Sequence, residues 1–222
     1  MNKLEKLKEL EQELMNDTAL PLREANLVFG EGNINSDIIF IGEAPGQRED
    51  ELKRPFVGRS GQLLDKLIGA IGWKREDVYI TNIVKRRPPD NRDPLPEEIE
   101  AYKPYLARQI EIINPKIVAT LGRFSMNYFM PAAKISRDQG KVFKWAEGDK
   151  KGGEKGVRYI VPMFHPAAAL RATAVLNQLE ASFKKLPIII AKVEALNQPE
   201  IIQNHSALSQ NLPRTVPQER LF

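Results

Sequence analysis

The sequence predicts an α/β protein, a doubly wound αβα sandwich around a parallel sheet. Two observations carry this. Four short β-rich runs, at residues 37–41, 78–84, 116–121 and 158–164, alternate with segments of helical periodicity. The first three runs are mostly apolar, the pattern of strands covered on both faces.

Taken in order, residues 3–15 carry leucines at 4, 7, 10 and 14, which predicts an amphipathic helix docked on the main domain rather than a coiled-coil partner site. The first strand spans 37–41, and a helix follows over 60–71. After the second strand, the helix over 96–113 opens with Pro96-Glu97-Glu98, a proline and acids where a helix start favours them. A helix over 123–129 follows the third strand, and one over roughly 173–185 follows the fourth. One domain is expected over 1–196. From about Asn197 the apolar periodicity gives way to Asn, Gln, Ser and Pro, so 197–217 reads as a flexible tail before Gln218-Glu219-Arg220-Leu221-Phe222.

Composition narrows the function. The chain has 222 residues, 42% hydrophobic and 28% charged, enough for one sizeable core. Its apolar stretches are too short to span a bilayer and its first residues lack a signal-peptide core, so a cytoplasmic monomer is expected. The net charge of +4 permits nucleic-acid binding without demanding it. There are no cysteines, which excludes disulfides, thiolate metal sites, cysteine nucleophiles and cysteine-ligated clusters. Only two histidines, His165 and His205, are available for imidazole chemistry or metal binding, and no metal site is expected.

Four segments carry chemistry. Gly42-Glu43-Ala44-Pro45-Gly46 follows the first strand, where ligands of open α/β sheets bind. Its glycines allow close backbone approach, though a plain structural turn fits as well. In Arg54-Pro55-Phe56-Val57-Gly58-Arg59-Ser60-Gly61, Phe56 reads as a core plug or as a platform for a flat base, and Ser60 opens a helix whose amino end suits a phosphate. Asn82 ends the second strand with an amide that donates and accepts at once, as reading a base edge requires. Lys85, Arg86, Arg87 and Arg92 make the loop behind it basic. His165 closes the fourth strand before Pro166 and a run of small residues that would let the loop press on a DNA backbone. A lone histidine is equally a structural one.

Together these motifs resemble the uracil-DNA glycosylase superfamily, and within it the family 4 enzymes of bacteria and archaea. The resemblance covers about residues 20–193. It rests on Val28-Phe29-Gly30-Glu31-Gly32, the 42–46 and 54–58 motifs, Thr81-Asn82-Ile83-Val84-Lys85, Arg87-Pro88-Pro89 with Asn91-Arg92-Asp93-Pro94, and His165-Pro166-Ala167. It implies a three-layer αβα fold with a central four-stranded parallel sheet and hydrolysis of the N-glycosidic bond of a flipped uracil, the start of base excision repair. By the resemblance, Phe56 stacks on uracil, Asn82 binds its polar edge, and His165 stabilises charge at uracil O2. Glu43 and the Ala44 amide serve the hydrolytic water and the pocket, and Glu49 crowds the base's 5-position against thymine. DNA contacts are implied for Ser60, Lys85, Arg86, Arg87, Asn91, Arg92, Ala167, Leu170 and Arg171. Leu170 and Arg171 would fill the vacated stack and hold phosphate, with Ala169 the alternative at the wedge position.

One departure from the family is large. Its enzymes usually hold a four-iron cluster on four cysteines, and the matching positions here are Met15, Thr18, Arg86 and Tyr102. No iron–sulfur cofactor is therefore expected, and a binding module that kept the fold without turnover is the alternative reading. A glycosylase for another deaminated base is a third. A covalent uracil-trapping relative is disfavoured, because the histidine such proteins carry after the asparagine strand is absent. Gln218, Leu221 and Phe222 resemble the glutamine-x-x-leucine-phenylalanine peptide that docks in bacterial sliding clamps, a short anchor on a tether.

Overall fold

Five-residue runs with no polar position need neighbours on both edges and both faces, and the chain provides them. The computed structural model describes residues 1–145 and 158–196. Strands β1 (Glu31–Gly32), β2 (Ile38–Gly42), β3 (Tyr79–Asn82), β4 (Ile117–Leu121), β5 (Phe143–Trp145) and β6 (Arg158–Met163) form one sheet in the order β1-β3-β2-β4-β6-β5. The four inner strands are parallel, as expected. The expected count of four is corrected to six, because β1 and β5 pair antiparallel on the two edges. Two and three residues are too short to display a period, so the sequence could not reveal them.

Side chains alternate across the sheet with the period of two that strand geometry imposes. Ile39, Ile41 and Val118 face one core together with helices α1 (Lys3–Asn16), α4 (Pro96–Ile113) and α5 (Arg123–Phe129). Ile38, Phe40 and Ala119 face the other, with α3 (Arg59–Ala70), the short α7 (Pro166–Ala169) and α8 (Thr173–Leu196). Two further short helices, α2 (Gln47–Leu52) and α6 (Ile135–Asp138), complete the described set.

Asn2 and Glu5 close a capping box that starts α1. Of its leucine stripe, Leu7, Leu10 and Leu14 are buried and Leu4 is exposed. The expected end of α8 near Lys185 falls short. The helix continues through Pro187 because Leu186, Ile189 and Val193 keep the buried stripe going, and their burial outweighs the lost amide. No described helix is long and apolar enough to cross a membrane. The expected tail, 197–222, lies outside the described residues.

Two expected DNA contacts are corrected by burial. Lys85 is fully buried beneath β3, and its amine donates to Thr81 Oγ1 at 2.6 Å and Gln109 Oε1 at 2.5 Å. Thr81 in turn donates to the Phe29 carbonyl at 2.7 Å, and Gln109 donates to that carbonyl and to Tyr79. The amine also reaches the Phe29 carbonyl at 3.4 Å, and burial pushes Lys85 well below the usual lysine range. Arg86 is buried too, its guanidinium donating to the Ala25 carbonyl. Neither side chain presents its charge at the surface.

Burial makes the folded chain hold the Lys85 proton less tightly than the unfolded chain does. Its contribution therefore makes stability rise with pH up to the ordinary lysine pKa and fall as pH drops. In urea titrations between pH 7 and 9, the stability of the parent should rise more steeply with pH than that of Lys85→Met. Equal slopes would show that the amine is charged in the fold.

Candidate active site

Beyond Asn82 the chain stays locked to the neighbouring strand. Ile83 N–H donates to the Gly42 carbonyl and Val84 N–H to that of Glu43, each at 3.0 Å. The 42–46 turn is thus fixed beside the asparagine, and both open into a cleft of about 500 Å³ at the carboxyl ends of the parallel strands.

Gly42 is a glycine for a reason that the sequence alone does not give. A Cβ there would lie 2.4 Å from Asn82 Oδ1 and 2.5 Å from the Phe56 ring. Phe56 arrives over it on a loop held from two sides. Glu49 Oε1 accepts from Val57 N–H at 2.9 Å and Gly58 N–H at 2.7 Å. From outside, Arg75 donates to the Pro55 and Phe56 carbonyls and pairs with Glu31 and Asp65. These bonds hold Phe56 at φ +50°, left-handed backbone that a phenylalanine rarely adopts. Gly61 completes the seat, since its Cβ would fall 1.8 Å from the Phe56 carbonyl oxygen.

Asn82 is 2% exposed and its Oδ1 has no hydrogen-bond partner. A buried, unpaired amide oxygen costs on the order of 1–3 kcal/mol, which a ligand N–H would return. Across the cleft, His165 caps α7 by accepting Ala167 N–H on Nδ1 at 3.1 Å. Burial pushes its imidazole down to about 4, against a smaller opposing pull from Glu49. The ring is therefore neutral at physiological pH with its single proton on Nε2, a donor rather than a cation. Its centroid lies 5.7 Å from that of Phe56.

Glu43 lines the same cleft. Burial first, then the charge of Asp93, push its carboxyl up to about 7, while Arg123 pulls it down. An acid and a base with pKa values near 7 and 4 are the reverse of their usual order, the mark of a site built for proton chemistry.

Ala44, Ser60, Asn91, Arg92, Ala167 and Arg171 also line the cleft. Arg92 is forked to Glu98 at 2.6 and 2.9 Å, and Arg87 donates to Asn91 at 2.7 Å. Leu170 is 44% exposed and Ala169 only 4%, so Leu170 is the apolar side chain that faces outward. The sequence reading missed Arg48, Arg59 and Asp93, which also line the cleft. Arg59 stands directly before Ser60 at the start of α3, which was the available signal.

A parallel sheet in an αβα sandwich thus carries an aromatic ring, an orphaned amide, a neutral imidazole and a raised carboxyl at its strand ends, a set whose chemistry suits a flat polar heterocycle. The uracil DNA glycosylase superfamily description matches residues 29–201, and the chain belongs to that superfamily. It is similar to the type-4 uracil-DNA glycosylase of Archaeoglobus fulgidus, 40% identical over 85% of this chain and 96% of the relative. The type-4 enzyme of Saccharolobus solfataricus is 48% identical over 72% and 74%, and that of Thermotoga maritima 45% over 69% and 78%.

The positions matching the family's cluster ligands do not fit a cluster. Met15 and Thr18 are exposed, the Arg86 guanidinium has no acceptor atom, and the Tyr102 hydroxyl donates to the Pro21 carbonyl at 2.7 Å. Arg86 reaches the same segment, its guanidinium donating to the Ala25 carbonyl. The neighbouring Tyr105 donates to Asp17 Oδ2 at 2.7 Å. These bonds fasten residues 17–25 to α4 and to the end of β3.

A carboxyl whose folded pKa is raised holds its proton more tightly in the folded than in the unfolded chain. Its contribution is lost as pH rises from its ordinary value through about 7. Glu43→Gln should therefore raise the melting temperature relative to the parent at pH 8 and leave it nearly unchanged at pH 4.5. A gap of equal size at both values would refute the raised carboxyl.

Proposed function

We propose that the chain is a monofunctional uracil-DNA glycosylase, acting as a cytoplasmic monomer to start base excision repair. The observation that carries this is the convergence of Glu43, Phe56, Asn82 and His165 on one cleft. A protein that merely bound DNA would need neither a carboxyl held near neutrality nor a neutral histidine in the same cleft.

A base in a duplex must leave the stack before it can enter such a cleft. The exposed Leu170 is placed to fill the gap, and Arg59 and Arg171 to hold backbone phosphates at the mouth. Phe56 then offers its face to the uracil ring. Asn82 Oδ1 accepts the imide N–H of uracil and the Asn82 amide N–H donates to the adjacent carbonyl. As the C1′–N1 bond breaks, the electron pair moves into the base and charge grows at O2. His165 Nε2–H stabilises that charge without first having to lose a proton. Glu43, its carboxyl raised to about 7, takes the proton of the water that attacks C1′ when ionised. Glu49 reaches the cleft while holding the Phe56 loop, so its exclusion of a 5-methyl group acts together with that clamp.

We also propose that no iron–sulfur cluster takes part, because the bonds of Arg86 to Ala25, Tyr102 to Pro21 and Tyr105 to Asp17 fasten the elements a cluster would staple. Gln218, Leu221 and Phe222 are proposed as a sliding-clamp peptide.

Uracil release from a labelled oligonucleotide is expected from protein treated with an iron chelator. Asn82→Ala and His165→Ala should each lower the rate roughly 100- to 1000-fold, the usual loss for one placed donor. Folded parent protein that binds the oligonucleotide but releases nothing would instead favour a binding module. Deleting residues 218–222 should abolish binding to a bacterial sliding clamp and leave release unchanged; unchanged clamp affinity would sink that reading.

A further inference from the structure

Beside the cleft lies a second hollow of about 210 Å³, and Pro88 lines both, so the two share a wall. Leu22, Ala25, Pro88 and Pro89 give the hollow apolar surface. Glu24, Asp50 and Arg87 add two carboxylates and a guanidinium. Its walls are held by the protein's own bonds. Leu22 sits at φ +62°, left-handed backbone that a bulky side chain rarely adopts, in a turn closed by Ala25 N–H on the Leu22 carbonyl at 3.2 Å. Asp50 Oδ1 accepts Asn26 N–H at 2.7 Å, and the Asn26 side chain donates to the Asp50 carbonyl at 3.1 Å, which ties that turn to α2. On the loop after β3, Arg87 Nε donates to Asn91 Oδ1 and so fixes the guanidinium to the 88–91 turn. Backbone strain over-determined in this way is found where a surface has to keep one shape for a ligand.

We propose that this hollow is a subsite for the nucleobase next to the uracil in unpaired DNA, and that it takes a base bearing an exocyclic amino group. The proposal rests on the glycosylase reading above and deepens it by naming a second contact with the substrate. The shared Pro88 wall puts the hollow within one nucleotide's reach of a uracil in the cleft. Its volume is less than half of the cleft's 500 Å³, which suits a base without its sugar and phosphate. Two carboxylates repel a phosphate, so the part of a nucleotide that fits beside them is the uncharged base. Proline and leucine surfaces suit the face of that base, while Asp50 or Glu24 accepts an amino hydrogen as carboxylates do from cytosine N4. Asp50 has an oxygen left for this, because only its Oδ1 is engaged within the protein. Arg87 donates to the ring nitrogen or carbonyl beside the amino group. Thymine lacks the amino group, and in a duplex the partner base occupies that edge, so the subsite reads single strands.

The test uses single-stranded oligonucleotides with cytosine, thymine or an abasic spacer on either side of the uracil. On one side, cytosine should give a kcat/KM for uracil release on the order of 10-fold above thymine and the spacer, as one good base-edge contact does. That preference should fall to near one in the double variant Glu24→Gln, Asp50→Asn, and in Ala25→Leu, which fills the hollow. Each ratio compares substrates on one protein, so a variant that merely folds less well keeps the parent's ratio. A parent without the preference, or a preference that either variant keeps, would overturn the proposal. Affinity for the same oligonucleotides, read by fluorescence anisotropy with a 2′-fluorine on the uracil nucleotide to slow cleavage, tests the subsite without turnover. Affinity that follows the neighbour while no uracil is released would uphold the subsite and refute the glycosylase. Release and affinity both blind to the neighbour would refute the subsite and leave the glycosylase standing.

Discussion

At residue 42 there is room for a hydrogen and nothing larger. Asn82 Oδ1 and the Phe56 ring both come within 2.5 Å of where a Cβ would stand, so the platform and the amide can share one side of the cleft only above a glycine. The rest of the site is arranged around that close approach. The amides of Ile83 and Val84 fix the β3 end to the turn, Glu49 and Arg75 hold the Phe56 loop from opposite sides, and Gly61 lets its carbonyl sit against α3. The strained backbone at Phe56 persists because several independent contacts over-determine it.

Polarity in the cleft follows from the same packing. Burial disfavours charge on both titratable groups, so it raises the carboxyl of Glu43 and lowers the imidazole of His165. One physical cause thus yields a carboxyl that titrates near neutrality and an imidazole that stays neutral. The orphaned Asn82 oxygen is a third consequence, a polar atom carried into the fold without a protein partner. Such costs concentrate where a ligand can return them.

Away from the cleft, hydrogen bonds tie residues 17–25 to the body of the fold. Tyr102, Tyr105 and Arg86 reach from α4 and the end of β3 to carbonyl and carboxylate oxygens of residues 17–25. Hydrogen bonds of this kind are each modest, about 1 kcal/mol net, but several in a buried setting rigidify a loop through geometry as much as through energy. The buried Lys85 network works alike beneath β3, joining Thr81, Gln109 and the Phe29 carbonyl.

How much of this was legible in the sequence depended on whether the signal was local. The inner strands, and the helices at 96–113 and 123–129, were readable because burial on both faces or on one stripe leaves a period in the chain. The site motifs were readable because chemistry demands particular residue types at strand ends. Strands of two and three residues leave no period, and the passage of α8 through Pro187 depended on a stripe that only the sheet could bury. Lys85 and Arg86 read as surface charge because adjacency in sequence does not say which way a side chain points; tertiary contacts turned one under β3 and the other towards Ala25. Likewise Asp93 and Arg123 are 30 residues apart, and nothing in either neighbourhood marks them as a pair. The sequence by itself determined the fold class and the residue types that meet at the cleft. Their protonation, and which charges reach the surface, were decided only by the tertiary structure, because desolvation and Coulomb interaction depend on distances that chain order does not contain.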